Sequence, residues 1–162
     1  MPDFDPASIV RVLNSHHVKF VVIGGVAAQL HDLPVPATVD IDVTPSRQRD
    51  NLERLATAFD DLDAGLYGRD GSATWFPRSP IENWAQYSSL HLMTRYGPLD
   101  IVFAPDGAPR GFDDLDELAE PSALDGEAVR IVTTSTWVAL KEAAGRQKDL
   151  EHLDRYYQHR KP

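Results

Sequence analysis

The sequence predicts an α/β (α+β) chain in which a small mixed, twisted sheet is flanked by helices and followed by a C-terminal helical segment. Three observations carry that expectation. The apolar, β-branched run Val18-Lys19-Phe20-Val21-Val22-Ile23 stops at Gly24-Gly25 and reads as a buried central strand. Residues 38–43 alternate polar and apolar, as a strand with one buried face does. Elsewhere apolar residues recur three and four apart, the period of a helix packed along one side.

Taken in order, Asp5 and Pro6 open a first helix as N-cap and first-turn residue. It should run to about Ser15 with Ile9, Val10 and Leu13 turned inward. Behind the first strand, residues 26–33 read as a short helix that Pro34 and Pro36 end. On the strand at 38–43, Val39, Ile41 and Val43 face one way and Asp40 and Asp42 the other. Ser46 is placed to cap a helix reaching about Asp61, buried through Leu52, Leu55, Ala56 and Phe59. Residues 64–82 read as a loop rich in Gly, Pro and Ser that carries Tyr67, Trp75 and Phe76. Residues 88–95 and 99–103 read as two strands turning at Tyr96-Gly97-Pro98. A helix near 112–119, a strand near 128–132, and one or two helices from Ser135, with Gly145 as a candidate break, complete the count. We expect one domain over residues 1–162, with a core at about 18–107 and a helical part at about 111–160.

Composition narrows the function classes. A chain of 162 residues can bury roughly 70% of its unfolded surface without staples. It has no cysteine, which excludes a disulfide scaffold, a thiol nucleophile and a thiolate zinc site. Its six histidines show no zinc-protease spacing. No apolar run approaches the roughly 20 residues that span a bilayer, and the acidic start lacks the features of a signal peptide. The expected location is cytoplasmic, without membrane association. The formal charge is −9, which on average repels nucleic acid. Residues 140–162 depart from this with a net +2, from six bases and four acids, so an anionic partner should meet that end.

Three features bear on chemistry together. Gly24-Gly25 between a strand and a helix would let an anion approach the backbone, although a tight turn needs the same residues. Asp40 and Asp42 share one strand face, where like charges repel unless something compensates. A hard cation such as Mg²⁺ does so; a solvated edge strand is the plainer alternative. Asp100 is the one acid within Leu99-Asp100-Ile101-Val102-Phe103, and a buried carboxylate must be paired, protonated or metal-bound. If its strand adjoins that of Asp40, three carboxylates converge as metal-assisted phosphoryl transfer requires. In residues 137–150, Lys141, Arg146, Lys148 and Asp149 form a charged cluster. Glu142 and Arg146 also have the spacing of a helical ion pair, so the cluster could be surface charge alone.

This combination resembles the catalytic core of the DNA polymerase beta-type nucleotidyltransferase superfamily. The run from Trp137 to Leu150 is most similar to the C-terminal motif of the AbiEii/MenT group of toxin nucleotidyltransferases. The resemblance implies a sheet of the nucleotidyltransferase type and transfer of a nucleoside monophosphate from an NTP, such as ATP, to an acceptor hydroxyl. By the same resemblance Gly24 and Gly25 contact the nucleotide phosphates. Asp40, Asp42 and Asp100 bind Mg²⁺, with Mn²⁺ as the alternative, and Asp100 helps deprotonate the acceptor. Lys141 neutralises the triphosphate, Arg146 and Lys148 assist it, and Asp149 orients one of these cations. The implied acceptor is the 3′ end of tRNA, and the implied partner a cognate antitoxin protein. The chain departs from the family twice. Gly25 stands where a serine is common, and Pro34-Val35-Pro36-Ala37 stands where relatives carry an arginine. Two rivals remain open: transfer to a small molecule or protein, for which a cationic antibiotic would suit the acidic surface, and a nucleotide-binding or antitoxin module without turnover.

Overall fold

In the computed structural model, which describes residues 3–162, Asp5 caps α1 (Pro6–Ser15) by accepting a hydrogen bond from the Ser8 amide at 3.1 Å. That bond satisfies one of the amides a helix start leaves open. Strand β1 (Phe20–Ile23) is buried along its whole length and runs straight into α2 (Gly24–Leu30). Next come β2 (Ile41–Pro45), α3 (Arg49–Asp61), β3 (Gly65–Tyr67), β4 (Ala73–Thr74) and the single turn α4 (Glu82–Ala85). Strands β5 (Ser89–Thr94) and β6 (Gly97–Val102) form a hairpin. Helix α5 (Phe112–Leu115) precedes a second hairpin, β7 (Ala119–Leu124) and β8 (Glu127–Val132). The chain ends in α6 (Thr134–Ala144) and α7 (Gln147–His159).

The eight strands make one sheet in the order β4-β3-β5-β6-β2-β1-β8-β7. It is mixed, as expected: β2 runs parallel to β6, and β1 parallel to β8, while the other pairs are antiparallel. Ile41, Val43, Leu99, Ile101, Leu90 and Leu92 line one face and join Ile9, Leu13, Leu55 and Phe59 in the core. Each large side chain buried this way contributes roughly 1.5–3 kcal/mol. Asn51 pins α3 to the sheet. Its amide donates to the Lys19 and Ser46 carbonyls and its Oδ1 accepts from the Lys19 amide, so this buried polar group is satisfied.

Several expectations need correction. Strand β2 begins at Ile41, not Thr38, and Val39 is 71% exposed. The Thr38 hydroxyl turns back onto Asp40, a local bond that competes with strand pairing. On the neighbouring strand Ile41 pairs with Leu99, so the residue facing position 40 is Pro98, which has no N–H to offer. Residues 64–82 are not all loop, since β3 and β4 pair within them. Residue 119 starts a strand, not a helix end, because Asp125-Gly126 closes a tight hairpin with both residues at positive φ. Hence residues 111–160 also add two strands to the sheet. Gly145 divides the last helical stretch, as expected, in the left-handed conformation at φ +61°. Among the described residues no helix is long and apolar enough to cross a membrane.

Candidate functional site

Strand register brings the carboxylates together. Asp42 on β2 lies opposite Asp100 on β6, and Asp40 stands just ahead of β2. Each offers an oxygen within 4.8 Å of the others. Among the described residues no other group of three such side chains converges like this. The three acids carry like charge in a partly buried place. Burial first, and then the charges of Asp40 and Asp100, push the Asp42 carboxyl up to about 8, against some relief from Lys141. Without a cation, burial and the neighbouring carboxylates thus favour the protonated form of Asp42. The donor set is hard oxygen only, which fits Mg²⁺ or Mn²⁺ and not a thiophilic metal.

The glycine turn forms the wall beside Asp42. Gly24 has φ +67°, and a Cβ there would fall 2.1 Å from Asp42 Oδ2. Only glycine lets the backbone and this carboxylate come so close. A Cβ at Gly25 would fall 2.8 Å from the Thr38 Cβ. The space that a serine side chain would need at 25 is thus taken by Thr38. The Thr38 hydroxyl bonds Asp40 Oδ1 at 3.0 Å and so holds the first carboxylate. Trp137, nearly fully buried, donates its indole N–H to the Gly24 carbonyl at 3.2 Å. That bond ties α6, which carries Lys141, to the turn.

The C-terminal charges are organised by one buried acid. Asp149 is 1% exposed and accepts hydrogen bonds from Lys141 Nζ at 3.1 Å and Arg146 Nε at 2.8 Å. It also accepts from the Arg146 amide at 3.2 Å, which caps α7. Burial alone would raise its carboxyl, but the bonds from Arg146 and Lys141 outweigh it and hold the pKa below the usual range. The spacing of Glu142 and Arg146 suggests an ion pair that does not form. The helix breaks between them, and Glu142 instead accepts from the Tyr157 hydroxyl.

All nine residues singled out in the sequence line one cleft of about 560 Å³: Gly24, Gly25, Asp40, Asp42, Asp100, Lys141, Arg146, Lys148 and Asp149. Two histidines missed by sequence reasoning line it too. His91 Nδ1 lies 2.9 Å from Asp100 Oδ1. Burial, and then the charges of Lys141 and Lys148, push the His152 imidazole below its ordinary value, and among the described residues its buried Nδ1 has no hydrogen-bond partner. Phe76 and Trp84 pack edge-on against Phe59 in the core, whereas Trp75 is 66% exposed.

No protein-family model and no curated protein matches the chain. Solved structures do. A provisionally assigned nucleotidyltransferase from Thermotoga maritima superposes with a TM-score of 0.57, at 16% identity, over 94% of this chain and 90% of its own. The antibiotic-resistance factor ANT(2'')-Ia superposes with a TM-score of 0.53, at 13% identity, over 95% of this chain and 83% of its own. At these identities the likeness is one of fold: the chain has the mixed α+β fold of these nucleotidyltransferases.

Proposed function

We propose that the protein is a metal-dependent nucleotidyltransferase that moves a nucleoside monophosphate from an NTP to an acceptor hydroxyl. The observation that carries this reading is the convergence of Asp40, Asp42 and Asp100 in a cleft that Lys141 also lines. In the reaction the acceptor oxygen attacks the α-phosphorus, the bond to the bridging oxygen breaks, and pyrophosphate leaves. Asp40, Asp42 and Asp100 would hold Mg²⁺ or Mn²⁺, which when bound supplies positive charge against the triphosphate. Gly24 and Gly25 line the cleft beside Asp42 and Thr38 and would present the backbone of the turn to the phosphates. Lys141, fixed by Asp149, offsets the charge of the leaving pyrophosphate, with Arg146 and Lys148 beside it. Asp100 takes the proton of the acceptor hydroxyl. Positioning and charge neutralisation supply the rate enhancement, as in phosphoryl transfer generally.

For the acceptor, the resemblance to the AbiEii/MenT group favours a tRNA 3′ end, with the protein as a toxin restrained by an antitoxin. The net charge of −9 favours a second reading, a small cationic acceptor. One neighbour in fold is an antibiotic-resistance factor, which agrees with that second reading. The test is label transfer from each α-labelled NTP with Mg²⁺, offered total tRNA or a panel of aminoglycosides, beside Asp40→Ala. Label on tRNA that the mutant abolishes supports the first acceptor. Label on an aminoglycoside supports the second. Bound NTP without turnover on any acceptor overturns the enzymatic reading and leaves a binding module.

A further inference from the structure

His91 lies directly opposite Asp100 across the β5–β6 pair, and Asp100 lies directly opposite Asp42 across β6 and β2. Paired residues on neighbouring strands share a face. The three side chains therefore form a row across the sheet on the side of the cleft. The residues flanking His91, Leu90 and Leu92, are buried in the core on the opposite face. The His91 side chain is 68% exposed and adds nothing to that core. Among the described residues its side-chain hydrogen bond joins Nδ1 to Asp100 Oδ1 at 2.9 Å. An ionised carboxylate can only accept, so Nδ1 carries the proton and donates.

The other carboxylates have their own supports. Thr38 holds Asp40, and the Gly24 turn walls in Asp42. Asp100 shares a side-chain hydrogen bond with Asp42 on the β2 side, and on the β5 side His91 holds it. The His91 bond engages Oδ1, and Asp100 still offers a carboxylate oxygen within 4.8 Å of those of Asp40 and Asp42. We infer that His91 is a positioning residue of the cation site: by donating Nδ1–H to Asp100 Oδ1 it holds the third carboxylate in the orientation that ligates. The inference rests on the reading of Asp40, Asp42 and Asp100 as a cation site. Residues that hold metal ligands in place typically account for about 10–100-fold in metal affinity.

The experiment is a Mn²⁺ titration of the full chain without nucleotide, followed by electron paramagnetic resonance. It compares the wild type with His91→Ala, His91→Gln and His91→Asn. Asparagine places an amide N–H near the position of Nδ1, whereas glutamine places one near Nε2. We expect Mn²⁺ affinity to fall about 10–100-fold in His91→Ala and His91→Gln and to be largely kept in His91→Asn. Melting curves should coincide, because the side chain is exposed. Unchanged affinity in all three variants overturns the inference, and so does an equal loss in all three. Wild-type protein that takes up no Mn²⁺ overturns the cation-site reading and this inference with it. Wild-type uptake with unchanged His91→Ala overturns this inference alone.

Discussion

Replacing Asp42 by asparagine should stabilise the metal-free protein, and the gain should grow with pH. Asp42 titrates at about 8 in the fold against an ordinary value of 3.8. Between those values the folded state holds a proton that the unfolded chain has released. Stability therefore falls as pH rises through this window, by up to about 1.4 kcal/mol per unit. Over the whole window that would exceed about 5 kcal/mol, or roughly twice what we expect once water in the open cleft screens the charges. The asparagine carries no proton to lose, so Asp42→Asn should gain roughly 3 kcal/mol at pH 8 and little at pH 4. For a chain of this length that is a rise in Tm of roughly 6–12 °C. The assay is thermal unfolding in EDTA at several pH values, repeated with excess Mg²⁺. Mg²⁺ should raise the wild-type Tm at pH 8 and leave the variant unmoved. A gain that does not vary with pH, or a loss of stability at pH 8, would refute the reasoning.

Three further outcomes are expected. Gly24→Ala should abolish Mn²⁺ binding and lower stability by more than about 1 kcal/mol, because its Cβ would collide with Asp42 Oδ2; Mn²⁺ titration and urea unfolding read both. Asp149→Asn should cost about 3 kcal/mol at pH 7, since it leaves Lys141 partly buried and poorly paired. The stabilising effect of Asp149 is present above the unfolded carboxylate pKa and lost as pH falls through its lowered native value, so acid unfolding of variant and wild type should converge at low pH. Thr38→Glu should end turnover with the fold intact by circular dichroism, because it places a negative charge beside Asp40; full activity in that variant would contradict the assigned geometry.

The central strands and their acids were legible in the sequence because β-branched runs, glycine stops and isolated acids in apolar strands are local signals. The split at Gly145 was legible for the same reason. What the sequence withheld depended on register. A turn at Tyr96-Gly97-Pro98 pairs Arg95 with Leu99 and sets Thr94 against Asp100. The structure turns at Arg95-Tyr96, so Thr94 faces Gly97 and His91 faces Asp100. The hairpin type alone decides whether the histidine is seen. Strand β7 was missed although Asp125-Gly126 is a strong two-residue turn signal. Its residues, Ala119-Glu120-Pro121-Ser122-Ala123-Leu124, have little strand character of their own and gain it from pairing with β8. Asp149 was legible as part of a charged cluster but not as its buried centre, which only the packing of α7 on α6 creates.

The central claim is that the three carboxylates and Lys141 serve one transfer reaction. Its most direct test is Mg²⁺-dependent pyrophosphate release from each NTP, with acceptor present, by wild type, Asp40→Ala, Asp100→Asn and Lys141→Met. The account predicts release by the wild type with at least one nucleotide, lost in both carboxylate variants and reduced in Lys141→Met. Release that survives Asp40→Ala and Asp100→Asn, or none from wild-type protein that binds NTP, would contradict it.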